Sequence, residues 1–201
     1  NLTSAIIIAM TSRIVIIDYG MGNLRNVQKA FERLGCEAKL THNKKEIERT
    51  SAIVLPGVGA FKDCMENLEK YGLVEPLLRC IEKGKPYLGI CLGLQILFSE
   101  SEEFGFCKGL GLIKGKVVKF VPGPEHKVPH MGWNRVRFLR PHAVFQGLPP
   151  ESEYYFVHSY YPSPAREGMV LGLTDHGIDF PSAIGRRNLV ATQFHPEKSG
   201  R

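Results

Sequence analysis

Apolar positions in the first hundred residues alternate between two rhythms. Residues 13–18 carry Ile14, Val15, Ile16 and Ile17 in a row, a β-branched run that reads as a strand buried on both faces. After the Gly20-Met21-Gly22 turn, Leu24, Val27, Ala30, Phe31 and Leu34 recur at helical spacing, and Gly35 stands where a C-cap glycine belongs. Residues 37–41 predict a second short strand and residues 44–49 a helix. Residues 51–55 predict a third strand that runs into Pro56-Gly57-Val58-Gly59. A long helical stretch follows, broken near Tyr71-Gly72. Residues 87–90 predict the fourth strand and residues 92–98 the helix after it.

Strand–helix alternation of this kind implies a parallel sheet with right-handed crossovers and helices on both faces. The second half changes character. Short strands are predicted at 117–120, 134–138, 154–160, 169–173 and 189–194, separated by Gly/Pro-rich turns. They imply a mixed or antiparallel extension of the same sheet, within a three-layer α/β/α arrangement. Ligands of such sheets bind outside the carboxyl ends of the strands. Asp18, Pro56-Gly59 and Cys91 all fall at such ends, so three remote segments converge on one edge.

The 201 residues, 43% hydrophobic and 23% charged, suit one globular domain with a full core. The net charge is +6, but the basic residues are scattered, without the clustered stripe that nucleic acid requires. The five cysteines are odd in number and form no C-x-x-C pair, which argues against a disulfide framework or zinc site and for a reducing, cytoplasmic setting. Cys36, Cys64, Cys80 and Cys107 read as packing residues or inert surface thiols. Residues 1–9 read as an unstructured or non-native extension preceding a domain at 10–201. Ile6-Ile7-Ile8 is too short for a membrane span and lacks the basic flank of a signal peptide.

Reactive chemistry enters with Gly89-Ile90-Cys91-Leu92-Gly93, the cysteine counterpart of the G-x-S-x-G nucleophile elbow. A thiol on a tight strand-to-helix turn is presented at a helix N-terminus, where negative charge is favoured. Far downstream, His195-Pro196-Glu197 supplies an imidazole and a carboxylate two residues apart. Together they read as a nucleophile, a proton shuttle and an orienting group. Backbone N–H groups of Leu92 and of the Gly57-Val58 region would receive an oxyanion, since glycines let a peptide turn its N–H toward the site.

These stretches resemble the class I (triad-type) glutamine amidotransferases, a flavodoxin-like fold, and more closely the glutaminase subunits of imidazole glycerol phosphate synthases. The resemblance runs from about residue 13 to 198. Besides the elbow and residues 193–199 it is carried by residues 18–24, 55–61, 130–134 and 155–160. It implies hydrolysis of glutamine to glutamate and ammonia through a cysteinyl thioester at Cys91, with no cofactor and no metal. It implies a (β/α)8-barrel cyclase partner, separate or fused, that receives the ammonia and makes imidazole glycerol phosphate and aminoimidazole carboxamide ribotide. It places glutamine against Gly59, Gln95, Glu103, Ser159 and Tyr160, and puts Asn23, Asn26, Trp133 and Lys198 at the cyclase face. Neither nucleic acid nor membrane is implied.

The residues leave other roles open. Asn23 reads equally as a helix N-cap, Trp133 as core, Lys198 as a solvated residue and Glu103 as part of the solvated acidic run 100–103. The family usually continues with a further helix after residues 195–199, and its absence by Arg201 leads us to expect a weakly anchored triad end. Two rival functions remain: a glutaminase serving a different synthase, and a non-catalytic thiol sensor on the same scaffold.

Overall fold

The computed structural model describes residues 13–121, 123 and 125–199. The expected extension at residues 1–9 lies outside these. In chain order the strands are β1 (Ile14–Ile17), β2 (Ala38–Thr41), β3 (Ala52–Gly57), β4 (Tyr87–Cys91), β5 (Phe98–Ser101), β6 (Cys107–Lys108), β7 (Ile113–Lys119), β8 (His130–Phe138), β9 (Glu151–His158), β10 (Tyr160–Pro164), β11 (Val170–Asp175), β12 (Asp179–Arg186) and β13 (Leu189–Thr192). The α-helices are α1 (Leu24–Arg33), α2 (Lys44–Arg49), α3 (Phe61–Lys70), α4 (Val74–Glu82) and α5 (Leu92–Gln95).

One sheet of nine strands runs in the order β2-β1-β3-β4-β13-β12-β11-β8-β9. The pairings from β2 to β13 are parallel, and those from β13 to β9 antiparallel. This is the expected α/β architecture with its antiparallel extension. The alternation of strand side chains divides the core by face. Val15, Ile17, Ile53, Leu55 and Tyr87 pack with Ile47 of α2 and with Phe61, Leu68, Leu77 and Ile81 of α3 and α4. Ile16, Val54 and Ile90 point the other way and meet Val27 of α1.

Local chemistry sets the boundaries. Asn43 caps α2, its Oδ1 accepting from the Lys45 N–H at 3.0 Å. Gly72, at φ +63°, makes the break between α3 and α4.

A second sheet was not foreseen: four strands in the order β10-β7-β5-β6. It corrects the expected helix over 92–98. Only one turn forms, because Phe98–Ser101 leaves to pair with β7 in parallel and with β6 antiparallel. Tertiary ladder pairing overrides the helical period. It also corrects the single strand expected over 154–160. The chain turns at Ser159 and passes from β9 in the large sheet to β10 in the small one.

Candidate active site

Cys91 ends β4 with φ +55° and ψ −105°, a backbone region that costs a side-chain-bearing residue about 1–3 kcal/mol. The expected elbow therefore forms. Its flanking glycines are required by close approach. A Cβ on Gly93 would run into the Leu55 carbonyl oxygen, and one on Gly89 into the Gly93 carbonyl oxygen. The Tyr87 hydroxyl donates to that Gly93 carbonyl at 2.6 Å, tying the turn to the strand beneath it. Gly57, the last residue of β3, pairs directly opposite Cys91. With a single helical turn behind the thiol, the axial dipole is smaller than a full helix would give.

Residues 193–199 return to this point from the far end of the chain. The Gln193 N–H donates to Ser182 O, and the His195 N–H to Tyr155 O, both at 2.9 Å. The Ser199 hydroxyl accepts from the Tyr155 N–H and donates to the His195 carbonyl. The expected weak anchoring is therefore corrected: both strand partners and a side-chain clasp hold this turn.

His195 Nδ1 lies 2.8 Å from Glu197 Oε1, with both side chains almost wholly buried. Nδ1 donates and the carboxylate accepts. Nε2 has no hydrogen-bond partner among the described residues, and the neighbouring Gln193 side chain reaches the Cys91 sulfur at 3.6 Å. Burial alone would discharge the imidazole. The Cys91 side chain and the Glu197 carboxylate overcome that penalty and raise the His195 pKa to about 9.

The cleft beside the thiol has a volume of about 140 Å³. That is small against the roughly 300–1,000 Å³ of drug-sized sites and suits a ligand of amino-acid size. Val58, Gly59, Leu92, Gln95, Glu103, Ser159 and Tyr160, all singled out from the sequence, line it with Cys91. Glu103 is no solvated residue of an acidic run. Its Oε2 accepts the Phe61 N–H at 2.7 Å, capping α3 from a distance, and burial raises its pKa against that bond. A larger groove of about 640 Å³ between Phe138 and Pro150 brings no nucleophile to a base. Among the described residues no group of His, Cys, Asp and Glu is arranged to hold a metal ion.

The four residues expected at a partner face lie around the same end of the sheet. Trp133 is 57% exposed on β8 and so is not core. It meets Tyr155 edge-on at 6.3 Å, and Lys198 Nζ lies 5.6 Å from the centre of that tyrosine ring. Asn23 and Asn26 are exposed at the start of α1, which packs near the 3-10 turn Pro196–Lys198. Asn23 holds the N-cap position but makes no side-chain capping bond.

The sequence marks the stretches that hold Gln193, His158 and His130 but assigns these three no site role. Gln193 Nε2 donates to Cys91 Sγ at 3.6 Å, and His158 lines the cleft. Gln193 is fully buried two residues before the histidine, a placement set by the tertiary fold. Burial lowers His130 to about 4 and His158 to about 3.

Three imidazoles thus bracket a stability optimum. The raised His195 contributes stability that is complete below about pH 6.5 and is lost as pH rises through about 9. The lowered His130 and His158 contribute stability that is present above about pH 6.5 and is lost as pH falls toward about 4 and below. The urea midpoint is expected to peak near pH 6.5, and His195→Gln to flatten only the alkaline limb. An unchanged alkaline limb in that variant would refute the assignment.

A family model described as glutamine amidotransferase class-I matches residues 15–201. The chain is 54% identical over 192 residues to "Imidazole glycerol phosphate synthase subunit HisH" of Syntrophotalea carbinolica, covering 92% of this chain and 93% of that one. It is likewise 54% identical over 188 residues to the HisH subunit of Moorella thermoacetica, covering 94% and 89%. Among solved structures, PurLQS from Thermotoga maritima superposes with a TM-score of 0.71 at 18% identity, covering 94% of this chain and 89% of that one. A crystal structure of a glutamine amidotransferase gives 0.68 at 24%, covering 91% and 90%. These two likenesses bear on the fold. The chain belongs to the class-I glutamine amidotransferase family and, within it, stands with the HisH subunits of imidazole glycerol phosphate synthase.

Proposed function

We infer that this chain is the glutaminase of an imidazole glycerol phosphate synthase, splitting glutamine into glutamate and ammonia for histidine biosynthesis. The observation that carries the reading is the buried His195–Glu197 pair, 2.8 Å apart, beside a thiol held on a strained elbow. In the reaction the Cys91 sulfur attacks the carboxamide carbon as a thiolate, its proton resting on His195. The oxyanion is received by the Leu92 N–H and an N–H of Gly57 or Val58. His195, oriented by Glu197, passes the proton to the departing nitrogen, and ammonia leaves a glutamyl thioester. His195 then takes a proton from water, which attacks the thioester and frees glutamate and the thiol. Gly59, Gln95, Glu103, Ser159 and Tyr160 hold the substrate.

The ammonia passes to a (β/α)8-barrel cyclase docked over Asn23, Asn26, Trp133 and Lys198, in a cytoplasmic heterodimer with lyase activity overall. No helix among the described residues is long and apolar enough to cross a membrane. Neither rival reading gains an observation: a sensor thiol has no use for the His195–Glu197 pair, and the relatives cited are HisH subunits. The test is glutamate release with and without a barrel cyclase and its bis-phosphorylated ribotide. Release that rises at least tenfold with both present is expected. Equal stimulation by an unrelated synthase, or none by the cyclase, would defeat the proposal.

A further inference from the structure

A line of polar side chains, half-buried Asn134 followed by buried His130 and His158, runs from β8 to the cleft, and the reaction does not use its far half. His158 Nδ1 lies 2.8 Å from the Tyr160 carbonyl oxygen. A carbonyl only accepts, so Nδ1 carries the hydrogen. His158 Nε2 lies 3.0 Å from His130 Nδ1, and His130 Nε2 lies 3.1 Å from Asn134 Nδ2. The Asn134 amide also donates to the Asp175 carbonyl at 2.8 Å, which identifies that atom as the nitrogen. With both rings neutral, one arrangement satisfies every link: Asn134 donates to His130, His130 to His158, and His158 to Tyr160.

We propose that Asn134, His130 and His158 form a one-directional hydrogen-bonded chain that fixes the Ser159–Tyr160 corner of the glutamine cleft, with His130 as its central positioning residue. This rests on the glutaminase reading of that cleft. The corner is where the chain leaves one sheet for the other: the large-sheet ladder ends at His158 opposite His130, and the small-sheet ladder begins at Tyr160 opposite Lys119. Two side-chain donors converge there on the Tyr160 carbonyl: His158, and Gln95 Nε2 at 2.9 Å. The same Gln95 nitrogen reaches Gln193 Oε1 at 3.1 Å, and Gln193 contacts the Cys91 sulfur. The orientation of the Tyr160 peptide is therefore tied to the groups beside the nucleophile.

Protonating either ring would set two N–H groups against each other. The surroundings oppose it. Phe120, Phe156 and Phe180 pack on the His130 and His158 rings, and His176 stacks on His130 with centroids 4.1 Å apart. His126 and His176 disfavour charge on His130, as do His176 and His195 on His158.

The experiment combines nitrogen-15 NMR of the wild-type chain with glutaminase kinetics on the cyclase complex. In the wild type both rings are expected as neutral Nδ1–H tautomers down to about pH 5. His130→Leu removes the donor to His158 and is expected to raise the KM for glutamine about five- to tenfold, with kcat changed less than about threefold. In His130→Asn the amide nitrogen replaces Nδ1 as donor, and KM should stay within about twofold of wild type. An Nε2–H tautomer or ordinary titration of either ring overturns the proposal. So does a folded His130→Leu with wild-type KM, or a His130→Asn as impaired as the leucine variant. If His130→Leu does not fold, the wild-type tautomers and His130→Asn decide. Absence of wild-type glutaminase activity would instead remove the functional reading, and the tautomers would still decide the chain.

Discussion

Cys91→Ala is expected to lower glutamine-dependent glutamate release by about 10⁴-fold or more, since removing a nucleophile from a cooperating set costs nearly the whole chemical acceleration. The substitution is structurally mild. Alanine carries the same Cβ and tolerates φ +55° no worse than cysteine, so the fold should persist. The residue lies nearly buried, at 5% exposure, whereas Trp133 of the expected docking face is 57% exposed. Cyclase docking and ammonia-dependent turnover by the complex should therefore survive. Side-by-side assays with glutamine and with ammonium salt separate these outcomes. Glutamate release persisting in the alanine variant would end the thioester mechanism.

Gly93→Ala carries the second large effect, and acts without touching substrate. The new methyl would sit within the Leu55 carbonyl group, whose carbon lies 2.9 Å from the ideal Cβ position. Both elements are backbone, so relief requires lifting α5 off β3. The expected cost is about 3 kcal/mol, corresponding to a Tm roughly 6–12 °C lower for a domain of this size. Lifting α5 also moves Cys91 relative to His195, and a shift of about 1 Å in such a set costs about 10²-fold in rate. Thermal unfolding and glutaminase assays of one preparation test both. Wild-type values in both would show that the turn does not cross the strand this closely.

The parallel half of the fold was legible because its signals are local. Buried parallel strands read as unbroken apolar runs, and Gly35 and Gly72 mark helix ends with positive φ. β12 escaped notice because Pro181, Ser182 and Gly185 make it look like a loop. It tolerates proline because its partner β11 shifts register twice around Gly172, where regular pairing is already interrupted. β6 is two residues long and exists only through its pairing with β5. The candidate site divides the same way. The elbow and the His195–Glu197 pair announce themselves by spacing. The capping role of Glu103 and the links through Gln193, His158 and His130 are set by tertiary approach, which no local pattern encodes.

Trp133 is the sole indole in the sequence and stands 57% exposed against the edge of Tyr155. The free subunit thus carries a built-in optical reporter. A protein closing over β8 would strip water from that ring and move its emission to shorter wavelength, while events at the sulfur would leave the colour of the signal unchanged. Association can thus be followed with no label attached, undisturbed by the chemistry at the sulfur.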